Sequence, residues 1–395
     1  MIAFSKNFYC CYVFIGLTIL FGSCQNDVPK TSSTNLEEYT ELPPPQDDFE
    51  ESDFKWGYMD TKGKLVIDAQ FDDNRGFKEG MAVVRKRGKW GYIDKSGKEV
   101  IPIQYKGAWS FSEGLARVET FDHTTGFINK YGETAFETRV ETAWDFKDGR
   151  ARFRENDQIG FLNEKGEKII KAQFESASDF KNGLAKAKSM GKYGLIDKSG
   201  GWIIKPSYSK INFPSSGLIR VREDGKFGYL DMQGEVIIPI QFDNAQDFNG
   251  DLAPAKSEGS YGLIDKEGKF VVQPQFKALW YAGEELWGVH RGQKYNFINK
   301  EGELVLAREF EQLYSFKEGI AAYKLGRLWG LVHKSGEIIT DPQFGLVWGY
   351  QDGLARAAVY GGIAMVNKRG EVVIPPKYLD LRDFSEGLAQ VQVYR

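Results

Sequence analysis

Cysteine and histidine are scarce in this chain of 395 residues. It has three cysteines, the last of them Cys24, so the rest of the chain can form no disulfide, no thiolate metal site and no cysteine nucleophile. The three histidines, His123, His290 and His333, fall at unrelated positions of the repeat described below. They indicate neither a histidine metal triad nor a Ser-His-Asp arrangement. We therefore expect no metal and no cofactor, and we do not expect an enzyme.

The sequence also has no large excess of acidic or basic residues and no apolar periodicity typical of helices. The formal net charge is −3, and beyond residue 53 acidic and basic residues nearly balance. This gives no electrostatic case for nucleic acid, which requires basic residues concentrated on one face. No sustained i, i+3, i+4 apolar stripe is present, which excludes stacked helical hairpins. The glycines follow none of the phosphate-binding motifs.

Long apolar runs are limited to the N-terminus. One run follows Lys6 and ends at Phe21, a layout typical of a secretory signal and too short for a comfortable membrane span. The two small residues before Cys24 resemble the lipobox of bacterial lipoproteins. That resemblance implies a signal peptide over residues 1–23, a lipid on Cys24, and export to the bacterial cell envelope with a membrane anchor, expected at the outer membrane. An ordinary signal peptide cut elsewhere is the alternative.

An acidic segment follows the cysteine. Residues 25–53 carry nine acidic residues against one lysine, with three consecutive prolines and few large apolar groups. Such a segment cannot bury enough surface to offset its ordering entropy. We predict a flexible tether over residues 24–53 and a folded region over residues 54–395.

The folded region consists of ten units with a period of 34 residues and one single-residue insertion. A landmark position marks the middle of each unit: Gly57, Gly91, Gly126, Gly160, Gly194, Gly228, Gly262, Asn296, Gly330 and Ala364. Six residues after the landmark, all ten units carry glycine. A catalytic constellation is needed once, whereas a structural unit is needed many times, so the period indicates a repeat architecture. Where Asn296 and Ala364 replace the glycine, we expect a different backbone approach.

Strand composition dominates each unit. We predict three short strands, of the types GLARV (114–118), KWGYID (89–94) and KEVIP (98–102), joined as a β-meander. A tight turn beginning at Asp94 links the second type to the third, and Asp or Asn recurs there in nine of the ten units. The middle strand is apolar on both faces, so neighbouring units must stack sheet against sheet.

These residues resemble the WG-repeat family, named for the pair that stands here as Trp56-Gly57, Trp90-Gly91 and Trp329-Gly330. The resemblance implies an all-β repeat architecture and hardly any function. The region begins with a middle strand at Phe54 and ends with a GLA-type strand, GLAQVQVYR. If these two pair, the units close into a propeller-like ring, which we favour. An open β-solenoid is the alternative, because propellers typically have four to eight blades.

Two further columns have structural interpretations. One column holds phenylalanine in seven units and is expected to form core anchors: Phe77, Phe111, Phe146, Phe180, Phe248, Phe316 and Phe384. A second column is acidic and is expected in turns, with calcium binding as the alternative: Glu79, Glu113, Asp148, Glu318, Asp352 and Glu386.

One column varies in chemistry, and variable positions of a repeat protein are where partners bind. Two residues before the phenylalanine column it reads Arg75, Trp109, Trp144, Ser178, Asn212, Gln246, Trp280, Tyr314, Trp348 and Arg382. In a closed ring its seven aromatic or arginine members form one arc. Trp, Tyr and Arg dominate protein-contact hot spots, and flat aromatic rings also stack on sugars. The structural alternative is that these side chains fill gaps between adjacent loops.

We therefore expect an envelope-anchored binding or scaffold module that recognises a protein or glycan partner through this column. A polysaccharide-acting hydrolase that uses an acidic pair is one alternative, although no unit carries a distinctive set of reactive residues. A purely structural spacer is the other.

Overall fold

The computed structural model describes residues 53–138 and 140–394. The predicted signal peptide over residues 1–23, Cys24 and the predicted tether up to residue 52 lie outside the described residues. The described chain is all β, and its strands form ten antiparallel sheets, which we call blades 1 to 10. No segment of these residues forms a helix long and apolar enough to cross a membrane.

Each blade is a meander of strands that follow one another in the sequence. The strands of blades 1 to 5 are β3 (Asp73–Asn74), β4 (Met81–Lys86), β5 (Lys89–Asp94) and β6 (Glu99–Tyr105); β7 (Gly107–Ala108), β8 (Ala116–Glu119), β9 (Thr125–Ile128) and β10 (Thr134–Thr138); β11 (Thr142–Lys147), β12 (Arg150–Glu155), β13 (Gln158–Leu162) and β14 (Lys168–Phe174); β15 (Ser176–Ala177), β16 (Leu184–Ser189), β17 (Lys192–Asp197) and β18 (Trp202–Tyr208); β19 (Lys210–Ile211), β20 (Ile219–Glu223), β21 (Lys226–Leu230) and β22 (Val236–Phe242).

Blades 6 to 9 continue the pattern, with three strands in blade 7. Their strands are β23 (Asn244–Ala245), β24 (Ala253–Ser257), β25 (Ser260–Ile264) and β26 (Phe270–Phe276); β27 (Ala278–Gly283), β28 (Leu286–Arg291) and β29 (Lys294–Ile298); β30 (Gln312–Leu313), β31 (Ile320–Leu325), β32 (Leu328–His333) and β33 (Ile338–Phe344); β34 (Leu346–Val347), β35 (Leu354–Val359), β36 (Gly362–Asn367) and β37 (Val372–Ile374).

Blade 10 closes the ring from both ends of the described chain. Its strands are β38 (Asp380–Ser385), β39 (Leu388–Tyr394), β1 (Phe54–Asp60) and β2 (Leu65–Phe71), in that order across the sheet. β1 and β39 pair antiparallel over their whole length, from Phe54 opposite Tyr394 to Asp60 opposite Leu388. The protein is therefore a ten-bladed propeller, as the strand types at the two ends predicted, and the alternative of an open solenoid is wrong.

The first strand of each blade lies nearest the axis and the fourth forms the rim. The turns that follow the first strands of neighbouring blades hydrogen-bond to each other directly, as Glu79 of blade 1 does to the backbone of Glu113 in blade 2. The fourth strands alternate buried and exposed residues along an unpaired outer edge, as in β22. Side chains on the first strands are thus the ones closest to the axis.

The prediction of three strands per unit was incomplete. The missing element is the inner strand, which in blade 1 is only two residues long and therefore shows no alternation of polar and apolar positions. The rim strand also extends further than predicted. In blade 1 it continues to Tyr105, which pairs with Trp90 of the third strand rather than lying in a loop.

The hydrophobic core lies between the blades. Tyr92 and Ile93 of the third strand in blade 1 point to opposite faces and are both buried, which confirms the prediction that this strand is covered twice. The phenylalanine column is buried in all seven units, as predicted for core anchors. Phe180, for example, joins Phe161 and Ile170 of the preceding blade in one cluster. Each blade completes the core of its neighbour.

The turn between the third and fourth strands has the predicted Asp-based geometry. An Asp94 carboxylate oxygen accepts hydrogen bonds from the backbone amides of Ser96 and Lys98, at 2.9 and 3.1 Å. Gly97 provides the positive φ of +85°. His333, the one residue in this column that is neither Asp nor Asn, accepts from the Ser335 amide through Nδ1 at 3.2 Å and so serves the same purpose.

Candidate ligand-binding site

The variable column lies on the inner strands or directly after them: Trp144, Trp280 and Arg382 fall within the first strands of their blades, and the other members follow the two-residue first strands. The backbone amide of Trp109 donates to the Arg117 carbonyl at 3.0 Å, and that of Trp348 donates to the Arg356 carbonyl at 3.0 Å, which continues the pairing of first and second strands. Because the ring is closed, the seven predicted residues occupy the consecutive blades 7, 8, 9, 10, 1, 2 and 3. We call this set the aromatic arc: Trp280, Tyr314, Trp348, Arg382, Arg75, Trp109 and Trp144.

Members of the arc are partly exposed and held in place. Tyr314 is 45% exposed, Arg382 is exposed, and the other five are of intermediate exposure. In blades 2, 3 and 9 the tryptophan ring stacks with an arginine of the second strand. The distances from guanidinium carbon to ring centroid are 3.5 Å for Arg117 and Trp109, 4.8 Å for Arg152 and Trp144, and 4.7 Å for Arg356 and Trp348.

The three arginines and Arg220, which occupies the same second-strand position in blade 5, also reach the next blade. Each faces an aspartate that directly follows the column residue of that blade, at nitrogen to oxygen distances of 3.6 Å for Arg117 and Asp145, 2.5 Å for Arg152 and Asp179, 2.9 Å for Arg220 and Asp247, and 2.6 Å for Arg356 and Asp383. The six junctions without this arginine also lack the aspartate in the sequence. At four of the ten junctions, the column residue therefore lies next to an arginine–aspartate pair that joins two blades.

Sequence reasoning missed these ion pairs. The signal was present, because arginine at one position of the GLARV-type strand always occurs with aspartate after the column residue one unit later. Recognising it requires knowing that the second strand of one blade faces the first strand of the next.

Blades 7 and 8 use small residues where other blades have arginine. The Trp280 ring lies against Gly288, where an added Cβ would be 2.2 Å from the indole, and meets Tyr295 edge-on with centroids 6.1 Å apart. Tyr314 stacks on Trp329 with centroids 4.4 Å apart and an interplanar angle of 23°. This sector of the arc is aromatic.

The structural alternative holds for part of the arc. Trp144 and Trp280 pack against hydrophobic clusters between blades, so both contribute to the core as well as to the surface. The polar residues of the column outside the arc also bond to the next blade: the Asn212 amide donates to both oxygens of Asp247 at 3.0 Å, and the Gln246 amide donates to the Leu279 carbonyl at 2.7 Å. Trp109 and Trp348 are thus the clearest surface tryptophans of the arc.

The acidic column occupies turns, as predicted. These residues adopt positive φ, for example +53° at Glu79 and +57° at Glu113. The carboxylates of Glu79, Glu113, Asp148, Glu318 and Glu386 accept hydrogen bonds from backbone amides of the following blade's turn, such as Glu79 from Gly114 at 3.0 Å. Within the described residues, no group of three or more His, Cys, Asp or Glu side chains could hold a metal ion.

The histidines also have local partners. His123 lies 3.3 Å from Glu119, and His290 stacks on Tyr295 with centroids 4.4 Å apart. His333 lines a cavity of about 630 Å³ between blades 8 and 9 together with Glu318. That glutamate pairs with Lys368 of blade 9 at 3.0 Å, so these two charged groups of the cavity join the blades.

Comparison with known proteins agrees with this architecture. The family described as WG containing repeat matches ten segments: residues 56–90, 90–120, 126–158, 159–193, 193–227, 227–260, 261–286, 297–329, 329–361 and 365–394. The chain belongs to the WG-repeat family. No curated protein matches this WG-repeat chain.

Several solved structures are similar in fold only. A eukaryotic initiation factor is 11% identical, with 72% of this chain and 94% of that chain covered and a TM-score of 0.43. The computationally designed Ika8 protein is 12% identical, with 67% and 93% covered and a TM-score of 0.35. BamB from Moraxella catarrhalis is 10% identical, with 82% and 98% covered and a TM-score of 0.30. At these values the likenesses carry no argument about function.

Proposed function

We propose that this WG-repeat propeller is an envelope-anchored binding or scaffold module that recognises a protein or glycan partner through the aromatic arc. One observation carries the proposal: seven consecutive blades present Trp, Tyr or Arg at the same position of the repeat, on the inner strand or directly after it, and none of the seven side chains is fully buried. The other three blades present Ser, Asn or Gln there. This asymmetry, in a scaffold that otherwise repeats its residue types, gives the ring a distinct contact side.

The packing of the arc suits recognition. A tryptophan stacked on an arginine whose guanidinium is tied to the next blade, as for Trp348, Arg356 and Asp383, has few rotamers left to lose. A surface ordered before binding avoids part of the entropy cost of association. Trp, Tyr and Arg are also the residues that contribute most at protein contacts.

The anchor is a separate part of the proposal. It is supported only by the sequence before residue 25, where an apolar run and two small residues precede Cys24. A lipid there would tether the propeller to the bacterial envelope, expected at the outer membrane. We include no catalytic step, since five of the six turn carboxylates of the acidic column are already bonded to backbone amides, and four of these also pair with a lysine.

The test compares the full-length protein with a variant of the two surface tryptophans, Trp109→Ala with Trp348→Ala. The control is Tyr131→Ala with Tyr360→Ala, which removes two exposed aromatic side chains from turns away from the arc. Each protein is screened on a glycan array and in a pull-down from envelope extract. We expect the parent and the control to retain a ligand that the tryptophan variant binds about tenfold more weakly or loses.

Thermal unfolding of each protein shows whether it is folded. A folded tryptophan variant that keeps the ligand would remove the arc as the site. A parent that retains no ligand in either screen would favour the structural spacer.

A further inference from the structure

Two arginines of the arc have no carboxylate partner among the described residues, unlike the second-strand arginines that pair with an aspartate of the next blade. Arg382 and Arg75 stand at the column position of blades 10 and 1. In these two blades, the second-strand position that holds arginine elsewhere is Gln390 or Val83. In the next blade, the residue after the column position is not an aspartate. In the described part of the chain, neither guanidinium forms an ion pair or a side-chain hydrogen bond.

Each of these guanidiniums is nevertheless held in position. Arg382 lies over the Trp56 ring at 4.4 Å, and Arg75 lies over the Trp90 ring at 5.3 Å. Contact with a ring engages the face of a guanidinium, while its N–H donors point outward in its own plane. A planar fork of donors matches a carboxylate bidentately. Two adjacent blades thus present guanidiniums that contact a tryptophan ring and are not paired with a carboxylate of the described residues.

Tryptophan flanks the pair on both sides. Trp348 of blade 9 precedes Arg382, and Trp109 of blade 2 follows Arg75. The arginines stacked on these rings already face Asp383 and Asp145. The order along the arc is therefore an aromatic surface, two cations without a counter-ion, and a second aromatic surface.

We propose that blades 9, 10, 1 and 2 form a subsite for an acidic polysaccharide, whose carboxylates bind Arg382 and Arg75 while its sugar rings pack on Trp348 and Trp109. The inference rests on the proposed function and names its ligand class. A uronic acid polymer carries one carboxylate on each ring, so a single strand supplies both anions and flat stacking surfaces at regular intervals. An acidic peptide supplies anions without a regular series of flat faces.

The experiment uses the full-length protein and three probes. Polygalacturonate is the acidic polymer, its fully methyl-esterified form is the neutral polymer with the same backbone, and polyglutamate represents an acidic peptide. We expect polygalacturonate to bind about tenfold or more tightly than the ester, since the loss of charge-assisted hydrogen bonds is of that order. Added salt should weaken the binding of the acid.

The variant Arg75→Gln with Arg382→Gln should bind the acid no better than the ester. The matched control, Arg291→Gln with Arg327→Gln, removes the same charge from exposed strand ends and turns of blades 7 and 8 and should keep the parent's preference. Thermal unfolding checks that both variants are folded. If the Arg75 and Arg382 variant keeps the preference, the assignment of these arginines is wrong.

The two proposals can fail separately. If the parent binds acid and ester equally, or binds neither, the acidic subsite is overturned, while loss of another ligand from the Trp109 and Trp348 variant would still support a binding module. Binding of polyglutamate without polygalacturonate would overturn the glycan assignment in favour of an acidic protein segment.

Discussion

In blade 1 the landmark glycine, Gly91, is the residue that lets the rim strand approach the third strand closely. Opposite Gly91 the rim strand forms a β-bulge. Trp90 pairs with Tyr105 and Tyr92 pairs with Ile101, so an advance of two residues along the third strand corresponds to four residues along the rim strand. The bulged backbone crosses directly over the glycine, where an added Cβ would lie 2.6 Å from Cα of Ile103. Any side chain would collide with this backbone.

The two units without the glycine confirm this reason. In blade 9, which has Ala364, the rim strand shortens to Val372–Ile374. In blade 7, Asn296 lies where the described residues form no fourth strand, and its side chain instead bonds to the backbone of Leu306, donating at 3.0 Å and accepting at 3.1 Å. The different backbone approach expected at both positions is present.

Gly262→Ala is expected to destabilise the protein by about 1–3 kcal/mol, the usual cost of overpacking. The new Cβ would lie 2.3 Å from the Val272 carbonyl oxygen and 2.8 Å from the Phe270 ring. Gly345→Ala is the control, because a Cβ there makes only an ordinary 3.5 Å contact with Ala358. Thermal unfolding measures both, and equal melting of Gly262→Ala and the parent would contradict the steric argument.

At the scale of elements, the inner turns join the blades electrostatically. Asp148 of blade 3 accepts a hydrogen bond from the Gly183 amide of blade 4 and pairs with Lys198 at 2.6 Å. The hydrogen bond from Lys198, followed by that from Gly183, lowers the pKa of the Asp148 carboxyl. The hydrogen bond from Lys368 likewise lowers the pKa of Glu318, with a further contribution from the Gly353 amide.

Acid should weaken these turns. A carboxyl whose pKa is lower in the folded than in the unfolded state contributes stability above its unfolded pKa, and this stability is lost as the pH falls through the folded pKa. We expect the variant Asp148→Asn with Glu318→Gln to have a melting temperature that falls less steeply than the parent's below about pH 4, where unfolded carboxyls titrate. Melting curves between neutral and acidic pH measure this.

The control for the acid experiment is Glu235→Gln, which removes an exposed carboxylate from the turn between the third and fourth strands of blade 5. It should follow the parent's pH profile. Identical profiles for the parent and the turn variant would show that these carboxylates are not coupled to folding.

At the scale of the whole molecule, stability depends on one long-range closure. Most blade contacts join residues about one repeat apart, whereas β39 and β1 are separated by almost the whole described chain. Buried Gln390 of β39 donates to the carbonyl and the side-chain oxygen of Asn74 in blade 1 at 2.9 and 2.8 Å. The C-terminal strand β39 is thus bonded both to β1 within blade 10 and to Asn74 of blade 1.

Deletion of residues 388–395 should lower the melting temperature by about 5 °C or more and expose the edge of β1 to exchange. It removes the buried Ala389 and Val391 together with β39, which pairs with β1 over its whole length. Deletion of residues 394–395 is the control and should be nearly neutral, because Tyr394 is 67% exposed. Amide exchange of β1 that is unaffected by the longer deletion would contradict closure.

Local pattern made much of the fold predictable. The repeat, the Asp-based turn, the doubly buried third strand and the phenylalanine core all follow from spacing and residue type, because they involve neighbours within one unit. The inner strand was missed since Asp73 and Asn74 are too few residues to show a period. The Arg152 and Asp179 ion pair was missed since it joins different units.

The sequence by itself determined the period, the strand types and which ten residues form the variable column, because each of these is set by residues close together in the chain. Only the tertiary structure decided that the array closes, because the small rotation from blade to blade accumulates over all ten units before β39 can meet β1. That closure places Arg382 beside Arg75 in the ring, 307 residues apart in the sequence. It also decided which tryptophans face the surface, because their packing partners come from another strand or another blade.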